Sequence, residues 1–140
     1  MNIEDFCSYE QALTLKKLNF KEKCLFYYGP DKVLYPNYTF NIDILKTTDL
    51  YRCCNNSNDD NYPIDAPTLV QAQKWIRKKK NLSVEPFSSN EKGKYTYEII
   101  YVDTGFDYKS YKTLSYRFNS YEEALSAGIT ESIKLIKDNS

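Results

Sequence analysis

Apolar side chains recur along this chain at two spacings, one helical and one strand-like. Between Ser8 and Leu18, Ala12, Leu15 and Leu18 stand three residues apart with Leu13 alongside, the pattern of one helix face. Ser8 is a good N-cap, and Gln11 three residues on completes a capping box. Each of these side chains can satisfy a backbone N–H that the helix start leaves unpaired. Asn19 suits a left-handed stop, and Phe20 can pack back on the last turn. The same grammar returns twice. Thr68, with Gln71 as capping partner, opens a second helix in which Leu69, Ala72 and Ile76 form a stripe widened by Trp75. It closes on Arg77-Lys78-Lys79-Lys80, where the helix dipole favours positive charge, and Asn81 ends it. Ser120, with Glu123, opens a third helix running to about Lys137. Leu125, Ile129, Ser132, Ile133 and Ile136 share its inner face, and Gly128 permits close approach to a sheet.

The remaining apolar segments alternate. Cys24 to Tyr28 reads as a strand, Gly29-Pro30-Asp31 as a turn and Val33 to Tyr35 as the returning strand, with Pro36 ending the hairpin. Leu82 to Phe87 is a strand whose Pro86 suits a sheet edge. Tyr95 to Val102 alternates most cleanly, with Tyr95, Tyr97, Ile99 and Tyr101 on one side and Thr96, Glu98, Ile100 and Val102 on the other. Asp103-Thr104-Gly105 turns the chain into a last strand over about Lys112 to Phe118. Tyr38, Phe40 and Ile42 allow a further short strand, and Asn55 to Asn61 is a run of turn-forming, solvent-loving residues within a polar loop at about 52–63. The order α-ββ-α-βββ-α predicts an α+β fold: a small antiparallel sheet of about five strands packed by three helices, as a single domain over 1–140.

Composition narrows the function more than the fold. The chain has 140 residues, enough for a sizeable core without a metal or disulfides. Lys and Arg together number 19, as do Asp and Glu, so there is no basic surplus to hold extended nucleic acid. Histidine is absent, which removes the usual proton carrier near neutral pH, the Ser-His and Cys-His nucleophile pairs and the commonest metal ligand. The cysteines, Cys7, Cys24, Cys53 and Cys54, form no C-x-x-C pair, and four scattered glycines make no phosphate-cradling loop. No cofactor is expected, and the balance leans away from an enzyme. The acidic start MNIEDFCSYE carries no signal peptide, and no apolar run reaches the roughly 18 residues of a membrane span. A cytoplasmic location with reduced thiols is the expectation.

SYEQALTLKKLNF at 8–20, APTLVQAQKWIRKKKNL at 66–82 and NSYEEALSAGITESIKLIK at 119–137 in combination resemble small proteins encoded by phages and prophages of gut Bacteroidetes. Those proteins carry no assigned activity. The resemblance covers most of the chain, least the loop at 45–63, and implies a setting rather than a mechanism. That setting is an accessory role, such as interference with host defence or tuning of host metabolism. SYEQAL and SYEEAL nearly coincide, but each is accounted for as a capped helix start followed by Ala-Leu.

The compositional anomaly is tyrosine, at 14 residues. Tyrosine combines a flat apolar ring with a polar tip at low entropic cost, so it serves both half-wet sheets and binding surfaces. The functional reading places Tyr95, Tyr97 and Tyr101 on an open sheet face with Arg117 on the neighbouring strand as an anion clamp. Three hypotheses follow. The first is a non-enzymatic protein that binds a protein partner through a Tyr-rich surface. The second is a binder of a small anionic ligand such as a nucleotide, and the third is a histidine-independent enzyme using carboxylates, Lys or Tyr. The run Arg77 to Lys80 is read as a solvated helix end, and Glu98, Asp103 and Asp107 as surface charge. Cys53-Cys54 beside the polar loop is a candidate reactive thiol with Arg52 adjacent, but no His or cationic cluster is there to lower its pKa. Oligomeric state stays open.

Overall fold

Helix α1, Tyr9–Lys17, starts and stops on the residues that the sequence sets out for it. In a computed structural model, which describes residues 2–36, 63–102, 109–113 and 117–139, Ser8 Oγ accepts from the Gln11 N–H at 3.2 Å. Gln11 Oε1 in turn accepts from the Ser8 N–H at 2.8 Å, so the capping box is complete. At the other end Asn19 takes φ 70°, its N–H reaches Lys16 O, and the Phe20 N–H reaches Leu15 O at 2.9 Å. This is a Schellman closure, sealed by the fully buried Phe20 ring.

The described residues sort into two compact units, Phe6–Thr68 and Leu69–Ser140 with Met1–Asp5, where the sequence alone indicated one domain. In the first, β1 (Phe26–Tyr28) pairs antiparallel with β2 (Leu34–Pro36) and with β3 (Ile64–Ala66), giving the order β2-β1-β3. Side chains alternate across such a sheet. Phe26, Tyr28, Leu34, Ile64 and Ala66 therefore share the face that packs on Tyr9, Ala12 and Leu13 of α1. The Tyr28 hydroxyl donates to Cys7 O at 2.6 Å, which lets a tyrosine sit in this core without an unpaired polar tip. Cys7 is wholly enclosed, and burial pushes its thiol up to about 12.

In the second unit α2 (Leu69–Lys80) buries Leu69, Ala72, Trp75 and Ile76. It passes into β4 (Leu82–Ser88) through Asn81 at φ 57°. β4, β5 (Tyr95–Tyr101) and β6 (Lys109–Thr113) form an antiparallel sheet in that order, so Pro86 does stand on an edge strand. Gln73 Nε2 donates to Val84 O at 2.6 Å and ties α2 to β4. Helix α3 (Tyr121–Asp138) lies on β4 and β5 and also touches α2. Ser120 Oγ accepts from the Glu123 N–H at 3.1 Å, while the Glu123 carboxylate reaches one residue further back, to the Asn119 N–H. The α3 cap is therefore half of the box expected.

Among the described residues the α+β class, the three helices and the antiparallel pairing are as the sequence indicates, with two differences. The described strands form two three-stranded sheets, because β3 adds to the hairpin. Its three residues are too short a run to show a period. The last strand begins at Lys109, before the expected Lys112, with a register shift opposite Ile99 and Ile100; residues 114–116 of that expectation lie outside the described residues, and Phe118 makes an isolated bridge to Tyr95. The expected strand at Tyr38, Phe40 and Ile42, the polar loop except Pro63, the turn at Asp103-Thr104-Gly105 and Cys53-Cys54 lie outside the described residues.

Two alanine substitutions on the buried face of α3 should move stability in opposite directions. A Cβ on Gly128 would collide with Val84 Cγ1 and stand 3.2 Å from the Tyr97 ring, both in the core. Overpacking costs about 1–3 kcal/mol, which outweighs the gain of up to about 1 kcal/mol in helix propensity. Gly128→Ala should lower the urea-unfolding free energy. Ser132 Oγ is wholly buried with no hydrogen-bond partner among the described residues. Removing an unpaired hydroxyl relieves roughly 1 kcal/mol, so Ser132→Ala should raise it.

Candidate functional site

Strand parity and helix coverage decide the fate of the expected tyrosine face. Tyr97 is 2% exposed, with its ring against Gly128 of α3 and Phe118 at 6.1 Å between centroids. Ile99, on the same side of β5, is fully buried. The face carrying Tyr95, Tyr97 and Tyr101 is thus the helix-covered face and not an open one. Tyr95 and Tyr101 are both half-buried and lie six steps apart along the strand, about 20 Å, too far to grip one small ligand.

Arg117 lies beyond β6 and beside Phe118, whose backbone exchanges two hydrogen bonds with Tyr95 at 2.8 and 2.6 Å. Arg117 and Tyr95 are therefore brought to one corner of the unit. Tyr121, which the sequence reading did not single out, joins them: it is 41% exposed and meets Tyr95 edge-on at 6.4 Å. The guanidinium, however, is paired with Glu91 at 3.3 Å, with both side chains 54% exposed. A carboxylate already occupies the place an anion would take. Lys94 beside them is bonded to Asn119 Oδ1. This corner is aromatic and polar, but its cations are engaged.

A second aromatic site lies on the β1–β2 hairpin. Tyr27 and Tyr35 are directly opposite in register and stack at 5.9 Å, on the face away from α1. Tyr35 is 38% exposed and Val33, at the tip, 49%. The turn beneath them is closely tied. The Gly29 N–H donates to Val33 O, the Lys32 N–H to Gly29 O, and Lys32 adopts φ 60°. Asp31 holds the side chains in place: Oδ1 accepts from the Val33 N–H at 3.1 Å and Oδ2 from the Tyr35 hydroxyl at 2.5 Å. A Cβ on Gly29 would stand 2.9 Å from both Asp31 Oδ1 and the Tyr35 ring, so any larger residue there must push the two side chains aside. Lys32 reaches over the Tyr9 ring at 5.1 Å.

No family model, curated protein or solved structure matches this chain.

Titratable groups elsewhere give little grouping for chemistry. Among the described residues no three of Cys, Asp and Glu converge as metal ligands, and no helix is long and apolar enough to cross a membrane. Cys7 and Cys24 are both enclosed, and the raised Cys7 pKa disfavours the nucleophilic thiolate. Asp65, in β3 opposite Tyr27, is the one fully buried carboxylate among the described residues. The sequence did signal the hairpin through Gly29-Pro30-Asp31 and its flanking aromatics. It could not signal which ring faces outward, because that depends on where α1 packs.

The hairpin lock makes a titration prediction. The Tyr35 hydroxyl, and then the Val33 N–H, hold the Asp31 carboxyl below its ordinary value. A carboxylate depressed in the folded state contributes its ordering above the ordinary aspartate range and loses it as pH falls through the folded midpoint. Carboxyl-detected NMR should place the Asp31 midpoint below that of a model aspartate. Tyr35→Phe should move it back upward, and an unchanged midpoint would show that the hydroxyl does not hold the carboxylate.

Proposed function

We propose that this protein works by recognition and not by catalysis, contacting a protein partner through the tyrosine-bearing β1–β2 hairpin. The observation that carries the reading is the exposed Tyr35 ring, stacked on Tyr27 and pinned through its hydroxyl to Asp31. Binding normally costs the ordering of each side chain that enters the interface, about 0.5–1.5 kcal/mol apiece. Here the ring, the turn and the carboxylate are ordered beforehand. Exposed Val33 extends the apolar area beside a ring whose polar tip is already satisfied. Tyrosine in such a setting is a rigid amphipathic anchor, of the kind enriched at the centres of protein interfaces. The resemblance to phage and prophage proteins adds a setting, in which the partner is a protein of the bacterial host.

The small-anion alternative draws less support, since Arg117 is engaged by Glu91 and Tyr97 is under α3.

The test is affinity capture from a host-type lysate with the intact chain, compared with Tyr35→Ala and with Lys137→Ala, in the other unit, as the control. Proteins retained by the parent and the control but lost with Tyr35→Ala are the expected result. A hot-spot tyrosine costs 2 kcal/mol or more when truncated, so the loss should be roughly thirtyfold in affinity. Identical protein profiles for Tyr35→Ala and the parent would overturn the assignment of this hairpin.

A further inference from the structure

Helix α2 carries an electrostatic anomaly that the neutral total conceals. Its twelve residues, LVQAQKWIRKKK, hold five cations and no acid. The other 128 residues hold fourteen Lys and Arg against nineteen Asp and Glu. The helix dipole explains cations in the last turn, but its influence fades within that turn, and Lys74 lies before it. Cations on an exposed helix are ordinarily relieved by acids three or four residues earlier. The positions that could relieve Lys74 are Val70 and Gln71, and those for Arg77 are Gln73 and Lys74. Compensation from other elements is lacking too: Lys74, Arg77, Lys78 and Lys79 are all exposed, and none forms an ion pair among the described residues. Lys80 differs, since it lies over the Trp75 ring at 5.8 Å.

Helical geometry then sorts these groups. At 100° per residue, Val70, Lys74, Arg77 and Lys78 fall within roughly one quadrant, opposite the buried Leu69, Ala72 and Ile76. Lys74 and Lys78 are separated by about 6 Å along the axis, inside the roughly 8 Å screening length of physiological salt, so the three charges act together. At the amino-terminal end of the stripe Val70 is 64% exposed, the second most exposed of the large apolar residues described.

We infer that this face of α2 docks an acidic segment of a partner protein, one that presents carboxylates to Lys74, Arg77 and Lys78 and an apolar side chain to Val70. Charge complementarity decides the sign of the occupant, and the apolar end decides its class. Single-stranded nucleic acid is gripped by cations interleaved with aromatic rings on which bases stack, and the exposed stripe has none. A membrane-surface helix needs a broad apolar face beneath its cations, whereas the apolar face of α2 is already buried in its own unit. An acidic peptide needs neither. The stripe belongs to the second unit and does not depend on the hairpin reading.

The test uses the full-length chain and a synthetic amphipathic peptide with Glu at helical spacing and Leu between. The comparison probes are a single-stranded oligonucleotide and phosphatidylglycerol–phosphatidylcholine vesicles. NMR titration should shift the amides of Val70, Lys74, Arg77 and Lys78 with the peptide, and affinity should fall as salt rises. The triple reversal K74E/R77E/K78E changes only solvated positions, and circular dichroism would confirm that it folds. It should weaken the peptide by roughly tenfold or more, as expected for three exposed pairs. Val70→Ser should weaken it less, and independently of salt. No peptide binding at low salt, or equal binding by the triple variant, would overturn the proposal. So would tighter binding of the oligonucleotide or the vesicles than of the peptide, or a self-association of the parent that the reversal abolishes. Loss of capture with Tyr35→Ala bears on the hairpin alone, so the two readings fail separately.

Discussion

Each sheet of this protein packs one face on a helix, and a strand sends alternate side chains to opposite faces. That two-residue period, set against the helix on one face, decides the side to which each described strand aromatic turns. In β1, Tyr28 turns toward α1 and has its hydroxyl satisfied by Cys7 O, while Tyr27, one residue earlier, turns away and stacks on Tyr35. In β5, Tyr97 and Ile99 turn under α3. The tyrosines are thus divided between two jobs. Some rings fill the cores as large hydrophobes with one hydrogen bond to satisfy, and others coat a strand face as amphipathic surface.

Parity also sets what the packing demands of its neighbours. A tyrosine under a helix raises the height of the sheet, so the helix must offer a hollow. Gly128 is that hollow, with Val84 and the Tyr97 ring filling the space where a Cβ would be. Glycine costs about 1 kcal/mol in a helix interior relative to alanine, and the close approach it permits offsets that cost. Ser132, one turn further on, keeps the helix face small but leaves a hydroxyl without a partner among the described residues, a local imperfection in an otherwise apolar contact.

Much of this was legible from local chemistry. Capping residues announced the starts of α1 and α3, and Asn19 and Asn81 announced left-handed stops, because each rule involves only residues within one turn. Pro86 announced an edge strand because it lacks the N–H that a second neighbour would need. The parts that stayed hidden depend on distant contacts. Strand β3 is three residues long, and its pairing with β1 joins positions nearly forty residues apart. The alternation of β5 was visible, yet its sign was not: nothing within Tyr95–Tyr101 says which face α3 will cover. The two candidate sites differ in the same way. The hairpin's turn chemistry could be read, but its outward ring could not. The cationic run could be read as a helix end, but its lack of compensating acids needed exposure and ion pairing to be known.

The two proposed surfaces are physically complementary whatever their relative placement. An exposed, hydrated cationic stripe acts over about a screening length and so governs mainly the rate of encounter and its salt dependence. A preordered, neutral aromatic hairpin acts only on contact and so governs mainly how long a complex lasts. A chain with no net charge gains little long-range attraction from its total, so any steering must come from a local imbalance such as that of α2. The acids that balance it lie outside α2, which disfavours an acidic partner there and so helps orient the encounter. Recognition of this kind needs no imidazole, no reactive thiol and no convergent acids. It needs residues held in place before the partner arrives, and the Asp31 lock on Tyr35 is such an arrangement.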